Sequence, residues 1–227
     1  MNVERREIKY LVPLLQFKML EPKLALVLRP DAAGDARGLY KVRSLYFDSF
    51  HDEDYFDVLK GAETRKKIRI RVYPPQGRLI KLEYKFKQGV NQQKTSISLT
   101  RKQARQMVDK DYGFLLDLPD PMAAQIYHEM MMRVYQPRVL IEYDRQAYTA
   151  PGNDIRITYD SQIRASRQCG SLFAANANFT PLVAPDMGVL EVKYNGFLYS
   201  YLQNVLQNLN AQPAAMSKYV LGRADLH

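Results

Sequence analysis

Charged and apolar residues alternate along two stretches of the chain, residues 67–73 (KIRIRVY) and 81–87 (KLEYKFK). Successive side chains of a β-strand point to opposite faces, so the charged residues of each stretch share one face and the apolar residues the other. The polar face of an ordinary half-buried strand carries mixed charges and small hydroxyl groups, whereas here it is cationic apart from Glu83. The pattern predicts two strands whose charged faces suit a polyanionic ligand.

The hydrophobic pattern along the rest of the chain predicts further strands and a few helices. Strands are expected at residues 40–47, 65–73, 79–87, 94–99, 138–148, 155–160 and 189–194. Helices are expected at residues 14–28, 101–110, 121–135 and 200–210, with Pro22 interrupting the first and Thr100 and Gln103 forming a capping box before the second. Residues 74–77 (PPQG) are a turn signal, which predicts a hairpin. Because no linker or repeat divides the sequence, we expect one domain over residues 1–227 with an antiparallel α+β fold.

Later strands repeat the alternation of charge. Arg156, Thr158 and Asp160 share a parity, and Glu191 and Lys193 repeat the spacing of Glu83 and Lys85. Two interpretations stay open: a solvated sheet face, whose ion pairs are each worth only about 0.2–1 kcal/mol, or a charged face turned inward. If helices cover the apolar positions, the second follows, and a closed barrel would enclose a cationic tunnel holding a few carboxylates.

Composition narrows the classes of function. The 33 Lys and Arg residues outnumber the 24 Asp and Glu residues, which gives a net charge of +9 and favours anionic partners. A single cysteine, Cys169, excludes an intrachain disulfide and a thiolate metal cluster, and the three histidines are too scattered in sequence to suggest a zinc site. No apolar run approaches the length of a signal peptide core or a membrane span, so we expect a cytoplasmic protein. The phosphate-binding loop GxxxxGK is absent.

The residue types on the charged faces have a chemical rationale. Arg guanidinium groups bind phosphate oxygens in a bidentate manner, and Lys supplies compact positive charge. A divalent metal uses one or two carboxylates together with the phosphates of its substrate. Cations with a few carboxylates therefore fit a metal–polyphosphate complex, and phosphoryl transfer on such a surface requires no Ser or Cys nucleophile.

Eight short blocks, spread over nearly the whole chain, resemble one known family. They are residues 7–10 (EIKY), 42–48 (VRSLYFD), 67–73, 82–85 (LEYK), 137–148, 155–160 (IRITYD), 190–194 (LEVKY) and 217–219 (SKY). In their order and combined coverage they resemble the VTC domain, the catalytic module of eukaryotic polyphosphate polymerase, within the triphosphate tunnel metalloenzymes. The resemblance implies an eight-stranded antiparallel β-barrel, the triphosphate tunnel, with helices packed outside.

The resemblance also implies an activity and a set of site residues. A metal-dependent enzyme would transfer the γ-phosphoryl group of ATP to a growing polyphosphate chain, with Mn2+ or Mg2+ as cofactor. The implied catalytic residues are Arg69, Arg71, Lys85, Arg145 and Arg156, the substrate-binding residues are Lys9, Lys193, Ser217 and Lys218, and the metal ligand is Glu191, with Glu83 and Glu142 as secondary candidates.

The chain also departs from the family pattern. Ala215 stands two residues before Ser217, where the resemblance leads us to expect a further Lys that would hold the product chain. The transmembrane helices of the eukaryotic proteins have no counterpart here, so membrane association would need a membrane-protein partner.

Other functions stay open beside the polymerase. The closest is an inorganic triphosphatase or nucleoside triphosphatase on the same scaffold. Related tunnel proteins carry Glu-x-Glu-x-Lys near the N-terminus, whereas this chain has Arg5 in place of the first Glu, which favours the VTC-like activity. A non-catalytic polyphosphate-binding module is a third possibility. RNA binding is disfavoured because many of the tyrosines occupy apolar strand positions rather than an open stacking surface.

Overall fold

The structure is a computed structural model that describes residues 5–74, 79–89, 91–150, 152–209 and 211–224. The strands are β1 (Arg5–Pro13), β2 (Arg29–Pro30), β3 (Leu39–Asp48), β4 (Thr64–Val72), β5 (Ile80–Gln88), β6 (Asn91–Ser98), β7 (Gln136–Ala150), β8 (Ile155–Ser166), β9 (Thr180–Pro181) and β10 (Met187–Asn195). The helices are α1 (Leu14–Ala25), α2 (Glu53–Leu59), α3 (Arg101–Val108), α4 (Pro121–Met132), α5 (Ser200–Gln207) and α6 (Lys218–Ala224).

The chain divides into two compact units. Unit 1 comprises Met1–Lys41, Tyr143–Ile163 and Pro181–Met216, and unit 2 comprises Val42–Glu142, Arg164–Thr180 and Ser217–His227. The hydrogen-bonded strand order is β1-β10-β8-β7-β3-β4-β5-β6, with β2 beside β7 and β9 beside β8. Within the described residues no pairing joins β6 to β1, so the described order is open at both ends.

Unit 1 packs α1 and α5 on the apolar side chains of its strands. β10 pairs antiparallel with β1 on one side and with β8 on the other. Helix α1 buries Phe17, Leu20 and Leu24, which recur at helical spacing on one face. The Phe17 ring stacks on Tyr159 of β8 with ring centroids 4.0 Å apart. This contact fixes the face of α1 that lies against the strands.

Unit 2 packs α3 and α4 on one face of its strands. Ile68 and Ile70 of β4 and Leu82 of β5 are buried in one cluster with side chains from both helices. Helix α3 begins with the predicted capping box, in which Thr100 and Gln103 satisfy each other's backbone N–H groups. Because the helices cover the apolar positions, the charged positions of β4 and β5 lie on the opposite face of these strands.

The antiparallel α+β class, the eight long strands and the packing of helices on their apolar side chains are confirmed, but the closed barrel is not, because no pairing joins β6 to β1 among the described residues. All seven predicted strands are present, and β4 pairs with β5 as the hairpin prediction requires, although residues 75–78 of its turn lie outside the described residues. Pro22 does not interrupt α1 as expected, since the helix continues through it to Ala25. Strand β1 was not predicted. The expectation of one domain over residues 1–227 stays a prediction.

Candidate functional site

In unit 2 the charged side chains of three neighbouring strands form rows across the strands. Lys67 of β4 lies opposite Lys85 of β5, which lies opposite Lys94 of β6. In the next row Arg69 lies opposite Glu83. We refer to these residues together with Arg71 as the Glu83 cluster: Lys67, Arg69, Arg71, Glu83, Lys85 and Lys94.

The two arginines and the carboxylate of the Glu83 cluster are largely removed from solvent, whereas its Lys94 side chain is 43% exposed. The Arg69 and Arg71 side chains are only 13% and 12% exposed, and that of Glu83 is 3% exposed. A fully solvated sheet face would leave Arg69 and Arg71 open to water, so the structure favours a face that is shielded at these positions. Desolvated cations cost free energy unless they are paired, which makes an anionic partner for this face favourable.

Glu83 is the one carboxylate within the cluster and contacts three cations. Arg69 Nε donates to Glu83 Oε2 at 2.7 Å, Lys94 Nζ lies 2.5 Å from Oε1, and Arg71 Nη1 lies 3.6 Å from Oε1. Burial on its own would raise the pKa of Glu83, but the charges of Arg69, Arg71 and Lys94 hold it well below its usual range. Glu83 is therefore ionised at neutral pH, and the cluster keeps an excess of positive charge.

Tyr46 of β3 adds a hydroxyl group to the same face. Arg69 Nη1 donates a hydrogen bond of 2.7 Å to Tyr46 Oη. Burial would raise the pKa of Tyr46, but Arg69, Lys67 and Arg71 lower it below its ordinary value. Three cations thus act on a single phenolic oxygen, a field that also favours the oxygens of a bound phosphate.

Ser217 and Lys218 lie where α6 begins. Lys67 Nζ donates a hydrogen bond of 3.0 Å to Ser217 Oγ, and the Lys218 side chain is half-buried. The next residue, Tyr219, holds the helix in place, because its ring stacks on Tyr46 with centroids 5.2 Å apart and its hydroxyl donates to Asp48. The structure therefore brings the predicted substrate-binding Ser217 next to the charged face of β4.

Unit 1 contains a second group of alternating charges, the Glu191 cluster, formed by Glu7 and Lys9 of β1 with Glu191 and Lys193 of β10. Lys9 Nζ lies 2.9 Å from Glu7 Oε1 and 3.6 Å from Glu191 Oε1. Lys193 Nζ lies 2.9 Å from Glu191 Oε2 and 3.6 Å from Glu7 Oε2. Burial would raise the pKa of Glu191, but Lys193, Glu7, Lys9 and Arg145 together hold it well below its usual range.

The donor atoms of the Glu191 cluster fit a hard divalent cation. No described part of the chain gathers three or more metal-ligating His, Cys, Asp or Glu side chains. Mg2+ and Mn2+ do not require such a cage, since they are held by one or two carboxylates together with substrate phosphates and water. Glu191 and Glu7, which contact the same two ammonium groups, supply oxygen ligands of this kind.

The other two carboxylates proposed as metal ligands are hydrogen-bonded to arginines. Glu142 Oε2 accepts from Arg43 Nε at 2.7 Å, and Glu142 Oε1 accepts from Arg164 Nε at 3.0 Å. Arg43 also donates to the backbone carbonyls of Ser171 and Ala174. Glu142 thus anchors a loop through its guanidinium partners, and Glu83 has the three partners described above.

Arg145 and Arg156 both lie in unit 1 and have different surroundings. Arg145 forms a bidentate pair with the fully buried Asp160, with hydrogen bonds of 2.6 and 2.7 Å. Arg156 Nη2 donates to Asp31 Oδ2 at 2.6 Å and to Tyr40 Oη at 2.8 Å, and its side chain is 37% exposed. Both guanidinium groups are therefore oriented by a carboxylate, but only that of Arg156 keeps substantial access to solvent.

Sequence reasoning missed three polar residues that the structure adds to these clusters. Lys94 completes a row of lysines, Glu7 links Lys9 to Lys193, and Tyr46 binds Arg69. For Glu7 the signal was present, because residues 7–10 (EIKY) alternate in polarity, whereas Lys94 lies in a wholly polar run, residues 91–96 (NQQKTS). Tyr46 gave no such signal, since its neighbours in β3 are mostly apolar and a buried packing role was the simpler interpretation.

The described fold, an antiparallel sheet with helices packed on its apolar positions and charged side chains on the other face of β4 and β5, is shared by solved structures. HpAC1 from Hippeastrum, an adenylyl cyclase candidate described as having a dominant triphosphatase activity, matches with a TM-score of 0.60 and 11% identity over 96% of this chain and 95% of its own. A Bacillus halodurans protein described as a candidate adenylate cyclase matches with a TM-score of 0.55 and 13% identity over 94% and 95% of the two chains.

The family itself follows from the sequence. The profile of the VTC domain matches residues 4–227, and the chain therefore belongs to the VTC domain family. No curated protein matches the chain by sequence. In the described residues, no helix is both long and apolar enough to cross a bilayer.

Proposed function

We propose that the protein is a metal-dependent polyphosphate polymerase that transfers the γ-phosphoryl group of ATP to polyphosphate. The observation that carries the proposal is the desolvated cationic face of the Glu83 cluster in a chain of the VTC family. Membership of that family favours a polymerase over the hydrolases that share the fold.

Phosphoryl transfer breaks the bond between the γ-phosphorus of ATP and the β,γ-bridging oxygen. ADP leaves with that oxygen, and a terminal oxygen of the polyphosphate chain forms the new bond to phosphorus. The reaction needs positioning and charge stabilisation more than covalent help from the protein. Arg69, Arg71 and Lys85 would supply this in unit 2, and Arg145, Arg156, Lys9 and Lys193 in unit 1.

Arg71 is well suited to bind a phosphate oxygen. Its Nε is buried and has no hydrogen-bond partner among the described residues, and its contact with Glu83 is a long 3.6 Å. A buried donor without a partner is unfavourable, and a phosphate oxygen would satisfy it. Ser217 and Lys218 would bind further along the phosphate chain, whereas Ala215 would add no charge there.

A bound Mn2+ or Mg2+ would neutralise part of the charge on the phosphates. Glu191 would hold the ion, with Glu7 in the same cluster. Glu83 and Glu142 stay secondary candidates, since each is hydrogen-bonded to an arginine that a metal ion would have to displace. The ammonium groups of Lys9 and Lys193 would then be left to contact phosphate.

A triphosphatase is the second candidate function. The structural neighbour HpAC1 is described as having a dominant triphosphatase activity, and the same cations would serve a reaction in which water replaces the phosphate acceptor. A module that binds polyphosphate without turnover is the third candidate. We further propose a cytoplasmic location, with any membrane-protein partner supplied by another polypeptide.

The test is to incubate the protein with ATP and Mn2+, and in parallel Mg2+, and to resolve the phosphate products on a gel. Long phosphate chains together with ADP would support the polymerase. Orthophosphate alone would replace it with the hydrolase. If there is no turnover but tripolyphosphate still raises the melting temperature, the result would support the module that binds polyphosphate without turnover.

A further inference from the structure

Helix α1 of unit 1 is apolar on both of its faces. Phe17, Leu20 and Leu24 are buried against the strands. On the opposite side Leu15, Met19 and Leu26, just after the helix, are 73%, 68% and 80% exposed. A helix that only covers its own core presents charged and polar residues to water, so this exposed apolar face indicates an additional contact.

Aromatic side chains extend the apolar surface at one end of α1. Tyr201 donates a hydrogen bond of 3.1 Å to the backbone carbonyl of Lys23, which places the start of α5 against the end of α1. Tyr201 is 39% exposed, and the neighbouring Tyr199 and Phe197 are 41% and 63% exposed. The rings of Phe197 and Tyr199 lie edge to face with centroids 6.1 Å apart.

Basic residues flank the apolar ones. Lys18 and Lys23 are exposed on α1, and Arg29 is exposed just beyond it. Glu21 faces Lys18 at 2.8 Å and is the one acidic residue of the helix, so the surface keeps a net positive charge. We define the α1 surface as Leu15, Lys18, Met19, Lys23, Leu26, Arg29, Phe197, Tyr199 and Tyr201.

We propose that the α1 surface binds the interface of an anionic lipid bilayer. Apolar side chains on one side of a helix enter the boundary between headgroups and acyl chains, and flanking lysines extend their ammonium groups to anionic headgroups. Tyrosines are favoured at the same depth because their rings are apolar and their hydroxyl groups are polar. The overall charge of +9 adds attraction towards such a surface.

The charges favour a bilayer over a second copy of this chain. A two-fold symmetric contact through the α1 surface would bring the same patch of both copies together. Lys18, Lys23 and Arg29 of one copy would then face the same basic patch of the other, with Glu21 as the acidic residue of the helix. A bilayer containing anionic lipid offers both an apolar phase and negative charge, so it satisfies both kinds of residue.

The test is sedimentation of the full chain with vesicles of phosphatidylcholine alone or mixed with phosphatidylserine. We expect the wild type to bind the mixed vesicles. The triple variant Leu15→Ser, Met19→Ser and Leu26→Ser should bind them about tenfold more weakly. Lys18→Gln and Lys23→Gln should each weaken binding about fivefold. Met131→Ser with Met132→Ser, which alters exposed apolar residues of unit 2, is the matched control and should bind as the wild type does.

Two further measurements keep the outcome unambiguous. Arg69→Ala should retain vesicle binding, and tripolyphosphate should not compete with vesicles, because the phosphate-binding residues are different ones. A cooperative thermal transition above the assay temperature would show that each variant is folded. Equal losses in the Met131/Met132 control, or absence of vesicle binding by the wild type, would overturn the proposal. Dimerisation that depends on Leu15, Met19 and Leu26, seen by light scattering without vesicle binding, would assign the surface to a protein contact instead.

Discussion

The ammonium group of Lys67 donates a hydrogen bond of 3.0 Å to the hydroxyl group of Ser217, a residue 150 positions further along the chain. Lys67 belongs to the alternating charges of β4, whereas Ser217 lies at the start of α6. The contact joins the charged strand face to the C-terminal segment that carries Lys218. Residues far apart in sequence thus contribute polar groups to one surface of unit 2.

Ser217→Ala should weaken tripolyphosphate binding about threefold to tenfold, because it removes a hydroxyl group and the acceptor that orients Lys67. Calorimetric titration measures the affinity directly. Ser98→Ala is the matched control, since the Ser98 hydroxyl accepts from Lys81 at 2.6 Å in an exposed pair. Similar losses in both variants would show that the Lys67–Ser217 contact has no special part in binding.

Glu83→Gln should lower stability and strengthen tripolyphosphate binding at the same time. Removing this buried carboxylate leaves Arg69, Arg71 and Lys94 less compensated, at a cost of about 3 kcal/mol in the free energy of unfolding. The same change makes the face more positive. Urea unfolding and calorimetry measure the two effects, and weaker binding would contradict the assignment of this face to phosphate.

The stabilising effect of Glu83 should also depend on pH. Its pKa is lowered in the folded state, so its contribution is present above the unfolded value of 4.5 and is lost as the pH falls below it. Wild-type stability should therefore decrease more steeply below about pH 4.5 than that of Glu83→Gln. Glu53→Gln is the matched control, because the pair of Glu53 with Arg133 is far more exposed than that of Glu83 with Arg69.

Asp54→Asn should flatten a second pH dependence. Burial and the nearby charge of Asp48 raise the pKa of Asp54 to about 7, and the folded protein therefore binds this proton more tightly than the unfolded chain. Its stability contribution is present below the unfolded value of 3.8 and is lost as the pH rises to about 7. The urea midpoint of unfolding, measured as the pH is raised from 4 to 8, should fall less in Asp54→Asn than in the control variant Asp57→Asn. Parallel plots of midpoint against pH for the two variants would contradict this prediction.

Arg145→Ala should destabilise the protein by about 3–5 kcal/mol, because it leaves the carboxylate of Asp160 buried without its bidentate partner. Arg156→Ala is the matched control. Its pair with Asp31 is partly exposed, so its removal should cost no more than about 1 kcal/mol. Chemical denaturation compares the two variants. Full stability of Arg145→Ala with a loss of phosphate binding would make Arg145 a binding residue alone.

The alternating pattern was sufficient to predict much of the fold. The period of two placed Ile68 and Ile70 on the face that the helices cover, and it placed Arg69 and Arg71 on the other. The same rule predicted the pairing of β4 with β5, because a short turn between two such strands favours a hairpin. Both features can be predicted from local sequence, because the two alternating stretches and the turn between them follow one another directly along the chain.

Other features depend on contacts that no local pattern encodes. Helix α2 has only seven residues, and the buried carboxylate of Asp48 accepts hydrogen bonds from the backbone N–H groups of Asp54 and Tyr55 in its first turn. These contacts rather than helix propensity hold so short a helix together. The pairing of Arg145 with Asp160 was missed because both residues look like members of a phosphate-binding wall. Helix α1 continues through Pro22 because the buried side chains of Leu20 and Leu24 pack the helix against the strands on either side of the proline.

The most direct test of the account is the salt dependence of tripolyphosphate binding by the wild type and by Arg71→Ala. Affinity measured between about 50 and 200 mM salt should fall steeply for the wild type, since binding neutralises several cations. Arg71→Ala should bind about tenfold more weakly and with a shallower dependence on salt, while Arg105→Ala, an exposed cation on α3, should match the wild type. Equal affinities and equal salt dependence in Arg71→Ala and the wild type would contradict the assignment of the cationic strand face to phosphate binding.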